Sequence, residues 1–130
     1  PPRSTLFPYT TLFRSADPQS EIDMLMGIGA APEGVITATA LRGLDAPFEG
    51  RLVFKNEGHR ERAEAMIDGD IERLWGRDEL CASEDAVFIG TGVCPGRTFG
   101  VEELSDGRFS VQSEVIDVAS GAHKFVDNIR

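Results

Sequence analysis

The residues best placed to do chemistry sit in one short run, Gly27-Ile28-Gly29-Ala30-Ala31-Pro32-Glu33-Gly34-Val35. Gly27 and Gly29 permit positive φ and let a ligand come close to the backbone. Pro32 suits a first helical position, where its missing N–H costs nothing and its φ is already near the helical value. Glu33 falls in the first helical turn, beside unpaired N–H groups and the positive end of the helix dipole. A strand, a small-residue turn and a helix N-terminus together make an anion site in many α/β proteins, so the chemistry implied is capture of a phosphate. The same residues also read as plain turn chemistry, with Glu33 only offsetting the dipole. A dinucleotide fingerprint does not fit. It needs glycine where Pro32 stands, and no acidic residue clearly ends a second strand at the expected distance.

Other reactive side chains are sparse. Cys81 and Cys94 are too few and too far apart for a metal cluster or a C-x-x-C redox pair. They read as small apolar residues at element ends. His59 opens a charged helix and His123 follows a turn. Neither has a visible Ser, Cys or Asp partner, so both read as surface residues. Gly90-Thr91-Gly92 ends an apolar run, and ligands collect at the carboxyl ends of strands in open α/β sheets. Gly27–Glu33 and Gly90–Gly92 are thus candidates to face one crevice, with a plain loop as the alternative.

These residues need elements to position them. Glu21 to Met26 reads as a strand, with Ile22, Met24, Leu25 and Met26 apolar. A helix is predicted from Pro32 to Leu44, then a Pro- and Gly-punctuated loop over Asp45–Gly50. Arg51 to Lys55 reads as a short strand broken by Asn56-Glu57-Gly58. A helix over His59–Asp68 follows, with Ala63, Met66 and Ile67 on one face and Arg60 and Glu64 at pairing distance. Ile71 to Trp75 reads as extended, and Asp78 to Cys81 as one helical turn capped by Asp78. Ala86-Val87-Phe88-Ile89 reads as a strand buried on both faces. Phe109–Ser120 and Ala122–Ile129 read as a hairpin turning tightly at Ser120-Gly121. Val111, Val115 and Val118 are the expected inward residues, with Phe125 and Val126 across from them.

The first fifteen residues, Pro1 to Ser15, stand apart. Their back-translation resembles a standard short-read sequencing adapter without a break, so residues 1–15 are read as adapter-derived and left out of fold reasoning. Residues 16–130 then form the native part, as one domain or part of one. Leaving out Arg3 and Arg14 from 13 Lys+Arg, against 22 Asp+Glu, moves the net charge from −9 to −11. A chain this acidic, with no basic run, is a poor binder of nucleic acid or anionic membrane. No apolar stretch is long enough to span a bilayer. No signal peptide is evident, so reduced thiols and a cytoplasmic location are the expectation.

The run Ser20-Glu21-Ile22-Asp23 through Gly27–Val35, then Ala40-Leu41-Arg42-Gly43-Leu44-Asp45, resembles the class II, bacterial-type fructose-1,6-bisphosphatases. Ala86–Val93 resembles the family's second characteristic strand and turn, and Lys124-Phe125-Val126-Asp127 its closing strand. The resemblance covers Asp17 to Asp127 and is strongest over Ser20–Asp45. It implies a partial sugar-phosphatase-like layered α/β fold: a mixed sheet with flanking helices and a C-terminal β-hairpin. It also implies a metal-dependent sugar bisphosphatase that hydrolyses the 1-phosphate of fructose 1,6-bisphosphate. Mn²⁺ or Mg²⁺ held by carboxylates is the implied cofactor, neutralising charge and supplying an activated water.

Residue by residue, Glu33 stands where the family's Pro-Glu-Gly glutamate meets the metal, while Gly29 and Ala30 stand at the sugar phosphate. Ala30 departs from a glycine common there. Val111 and Glu114 depart from a Thr and an apolar residue. The family's main ligands lie in an N-terminal half with an Asp-Pro-x-Glu-Gly-Thr run, which this sequence lacks. The resemblance therefore implies a C-terminal portion, inactive alone and with no catalytic residue of its own. It also implies a sugar bisphosphate as substrate and a homo-oligomer for the full-length enzyme. The competing expectation is a non-catalytic α/β module that binds a phosphate ligand.

Overall fold

A computed structural model describes residues 21–130, so the segment 1–15 and its joint at Ala16 lie outside the described residues. The expected strand over Glu21–Met26 does not form. A strand exists through its ladder with a neighbour, and no such ladder is assigned over 21–30. Met24, Met26 and Ile28 are instead 75%, 79% and 80% exposed.

Helix α1 spans Ala31–Gly43, within a residue of its expected bounds. Its inner face is built from small side chains: Thr37, Ala38, Ala40 and Gly43 are buried together with Leu41. Small residues let the helix axis come close to the sheet beneath it. At its C-terminus the N–H groups of Leu44 and Asp45 return to the carbonyls of Ala40 and Arg42.

The segment Arg51–Lys55 is not a strand. Pairing stops before it, at the two-residue ladder of β1 (Glu49–Gly50) with β2 (Trp75–Gly76). Helix α2 follows over Glu57–Met66, starting earlier than expected. Asn56, read as part of a break, is its cap: the Asn56 side chain accepts from the His59 N–H at 3.0 Å. Arg60 bonds Glu72 at 2.5 Å rather than Glu64. The short helix α3 covers Arg77–Leu80. Asp78 does not cap it. The Glu79 carboxylate accepts from the Gly76 N–H at 2.9 Å, while Asp78 faces the Arg42 and Arg77 guanidinium groups.

The second sheet is built on one long strand. β3 (Val87–Thr91), β4 (Val101–Glu103), β5 (Phe109–Asp117) and β6 (His123–Ile129) pair antiparallel. β5 is central. β3 and β4 lie end to end along one edge of it, and β6 runs along the other. Helices against antiparallel sheets, closing in a C-terminal hairpin, make this an α/β architecture. α1 covers the face of β5 that carries Glu114 and Ile116. Ala40, Phe88 and Ile116 form the core there, with Leu44 packed on it. Burial of a Phe or Ile side chain of this kind stabilises by about 1.5–3 kcal/mol.

Which face α1 covers corrects two expectations. Strand β3 is not buried on both sides, because Phe88 points under α1 while Val87 and Ile89 remain 47% and 63% exposed. On β5 the fully buried apolar residue is Ile116, while Val111 and Val115, and Val118 just past the strand, are only half-buried. The hairpin is present, but its connection is longer than a two-residue turn. The last strand pair is Ile116 with His123, and the Asp117 N–H donates to the Ala122 carbonyl at 2.9 Å. Gly121 takes φ +66° there, a conformation that disfavours other residues.

Candidate functional site

The Gly27–Glu33 run sits on the surface at the start of α1. Ala30 is the N-cap, with φ −80° and ψ 165°, and no side chain caps the helix. The first helical bond runs from the Gly34 N–H to the Ala30 carbonyl at 3.2 Å. Pro32 in the first turn has no N–H, so the Ala31 and Glu33 N–H groups are the ones left over by the missing cap. Glu33 is exposed, in the first turn where the dipole favours an anion. Positive φ is not used here. The glycines that adopt it are Gly69, Gly100, Gly107 and Gly121. What Gly29 provides is space: a Cβ built on it would meet only the Glu33 Cβ, at 3.5 Å. Ala30, in ordinary extended backbone, carries its methyl group without strain.

The structure brings Gly29, Ala30 and Glu33 together by their succession in the chain. A Cβ on Gly90 would meet the Phe88 ring at 3.1 Å, and one on Gly92 would meet Thr98. Those glycines make room for neighbouring side chains of their own sheet and loop. Gly90 and Thr91 belong to β3 itself rather than to a turn after it.

No group of three or more His, Cys, Asp or Glu among the described residues could hold a metal ion. Glu33 is one carboxylate, and a hard divalent cation takes about six or more oxygen ligands, waters included. The described residues therefore do not by themselves make a site for Mn²⁺ or Mg²⁺. Several acidic side chains elsewhere are engaged locally. Hydrogen bonds from the Ser120 hydroxyl and then the Ser120 N–H hold the Asp117 carboxyl below the usual carboxylate range. Arg108 does the same for Asp106, and the Gly76 N–H followed by Arg73 for Glu79.

A cluster that sequence reasoning missed lies on the sheet. Glu114 is 3% exposed, and its Oε1 accepts from Arg97 Nε at 2.7 Å. His123 Nε2 is 2.7 Å from the same oxygen. His123 is therefore not a partnerless surface residue, as the sequence suggested. Hairpin register is the signal that could have found it. β5 and β6 pair Glu114 with Phe125 and Ile116 with His123, which sets His123 diagonal to Glu114 on one face. The thiols stay apart as expected, both free, with Cys81 buried at the end of α3 and Cys94 exposed.

The described residues thus form an α/β architecture whose first helix starts at the surface without a side-chain cap and with Glu33 in its first turn. The family described as "Bacterial fructose-1,6-bisphosphatase, glpX-encoded" matches residues 10–130, and the chain belongs to it. The match takes in residues 10–15 of the segment expected to be adapter-derived. A relative from Synechococcus sp. (strain RCC307) is named D-fructose 1,6-bisphosphatase class 2/sedoheptulose 1,7-bisphosphatase. It is 35% identical over 118 residues, covering 81% of this chain and 35% of that protein. A relative of the same name from Microcystis aeruginosa is 34% identical over 122 residues, covering 85% of this chain and 35% of that protein. The chain thus spans about a third of the length of the curated relatives it matches. No helix among the described residues is long and apolar enough to cross a membrane.

Proposed function

We propose that this chain is the C-terminal portion of a metal-dependent sugar bisphosphatase that removes the 1-phosphate of fructose 1,6-bisphosphate, a gluconeogenic reaction of the cytoplasm. Family membership supports the reaction class, and the names of the relatives supply the substrate class. The observation that carries the reading is the uncapped start of α1, where Glu33 stands beside free backbone donors. Gly29 and Ala30 offer backbone to the sugar phosphate. Glu33 contributes one oxygen ligand to a Mn²⁺ or Mg²⁺ site whose other ligands come from outside residues 21–130. The chain alone turns over no substrate, and the full-length enzyme is a homo-oligomer. Sedoheptulose 1,7-bisphosphate, which the relatives' names also mention, is a second candidate substrate.

The test is a graft. Residues 21–130 replace the matching segment of the Synechococcus relative, and phosphate release from fructose 1,6-bisphosphate is measured with Mn²⁺ present. The graft is expected to be active, the free chain inactive, and the graft carrying Glu33→Gln inactive but folded. Full activity of that variant would remove Glu33 from the metal site. The uncapped helix also favours a second reading, a phosphate-binding module without chemistry. Phosphate binding by the free chain, together with a well-folded but inactive graft, would favour it.

A further inference from the structure

Successive residues of a strand point to opposite faces. β5 therefore presents Glu114 and Ile116 to the side of α1, and Val111, Ser113 and Val115 to the other side. The register extends that second face across the sheet. Ile89 lies beside Val115, Thr91 beside Ser113 and Val101 beside Val111, with Val126 across from Ser113 on the far strand. An antiparallel sheet that leaves one face in water normally carries polar residues there. This one carries β-branched apolar residues from all four strands, Val87, Ile89, Val101, Val111, Val115 and Val126.

The described residues leave this face open: Val87, Ile89 and Val101 are 47%, 63% and 46% exposed. The hydroxyls inside the patch answer each other, with Thr91 Oγ1 and Ser113 Oγ 2.8 Å apart, so covering them costs less than covering unpaired groups. Charge stands at the border, with Lys124 beside Val115 and Asp117 beside Val87. An apolar centre with a polar rim is the anatomy of a protein interface, and soluble proteins rarely leave a contiguous apolar patch uncovered.

We propose that this face is an interface inside the full-length enzyme, covered by an apolar surface from the part of the polypeptide outside this chain. The proposal rests on the reading of the chain as a portion of a longer sugar bisphosphatase. The Synechococcus and Microcystis relatives are matched over 35% of their length, so most of such a protein is available to supply the cover. The sheet then becomes a middle layer, with α1 on one side and the cover on the other. A second copy of this chain fits less well, because two chains of net charge −9 repel each other.

Thiol labelling tests this. Ile89→Cys is introduced into the whole free chain and into the graft, and modification of residue 89 by a maleimide is followed by peptide mass spectrometry. Labelling in the graft is expected to be slower than in the free chain by on the order of ten-fold or more, since a covered site reacts only when it opens. Val101→Cys should behave alike, and it decides the matter if Ile89→Cys does not fold. Phosphate release is measured on the graft without these changes, so the two proposals separate. An inactive graft that protects residue 89 removes the phosphatase reading and supports the interface. An active graft in which residue 89 reacts as fast as in the free chain overturns the interface. Protection in the free chain that grows with its concentration makes a second copy the occupant and overturns it too. Should the graft not fold, the whole chain is co-expressed with the rest of the Synechococcus relative, and failure of the two to co-purify with residue 89 protected overturns the proposal.

Discussion

A Cβ placed on Gly43 would stand 2.4 Å from Cγ2 of Ile116. Two effects oppose each other at that position. Replacing glycine by alanine inside a helix ordinarily gains about 1 kcal/mol. Forcing a methyl group into a packed core costs about 1–3 kcal/mol. Ile116 has no exposed surface and is paired with Phe88 on one side and His123 on the other, so it has little room to yield. Gly43 is also the last residue of α1, where the gain in propensity is smallest. Gly43→Ala should therefore lower the urea midpoint with an unchanged slope. A raised midpoint would show that α1 can lift off the sheet without loss.

The two guanidinium groups at positions 42 and 60 should differ sharply in what they contribute. The Arg42 side chain is 19% exposed. It donates to the Cys81 carbonyl and to the Ser83 carbonyl, and its Nε is 3.2 Å from the Asp78 carboxylate. It thereby joins the end of α1 to α3 and the chain after it. Arg42→Met leaves those acceptors without their donor and should cost about 1–3 kcal/mol. Arg60 pairs with Glu72 at 2.5 Å, but Glu72 is 61% exposed. Arg60→Met should change stability by less than about 1 kcal/mol, as exposed pairs do. Equal losses in urea titrations of the two variants would contradict the structural role of Arg42.

The hairpin connection predicts a pH dependence with a definite sign. The Ser120 hydroxyl and N–H donate to Asp117 Oδ1 at 2.7 and 2.8 Å and hold its carboxyl below the usual range. A carboxyl whose folded value lies below the unfolded one, about 3.9, stabilises the fold above that pH and loses the effect as pH falls through the folded value. Ser120→Ala removes the leading cause. By NMR titration the Asp117 carboxyl should then move up toward about 3.9. The stability gap between wild type and variant should be widest near neutrality and shrink in acid. A gap that grew on acidification would mean that Asp117 is not the group involved.

The sequence was most legible where one local signal sufficed. Pro32 and Glu33 marked the start of α1 to within a residue, and Gly121 marked the hairpin connection. It was least legible where a neighbour decides the outcome. Glu21–Met26 and Arg51–Lys55 have strand-like composition, but a strand needs a ladder and none is assigned there. Val87 and Ile89 look like core residues, yet α1 covers only one face of β3. Glu114 and His123 are nine residues apart, and only the β5–β6 register reveals that they meet. The candidate site divides in the same way. Glu33, Gly29 and Ala30 are adjacent in sequence and could be read directly. Any ligand contributed from a distance could not.

That adjacency gives a prediction that links stability to the site. Ala30 has the extended backbone of an N-cap but no side chain able to accept a hydrogen bond. The N–H that such a cap would serve is that of Glu33, because Pro32 has none to offer. Ala30→Ser should therefore stabilise the chain by about 0.5–2 kcal/mol, read as a higher melting temperature. The same hydroxyl would occupy the donor that an anion approaching the helix would use. In the graft, Ala30→Ser should then raise KM for fructose 1,6-bisphosphate while the melting temperature rises. Stabilisation with an unchanged KM would place the substrate phosphate away from the Glu33 N–H, whatever the carboxylate of that residue does.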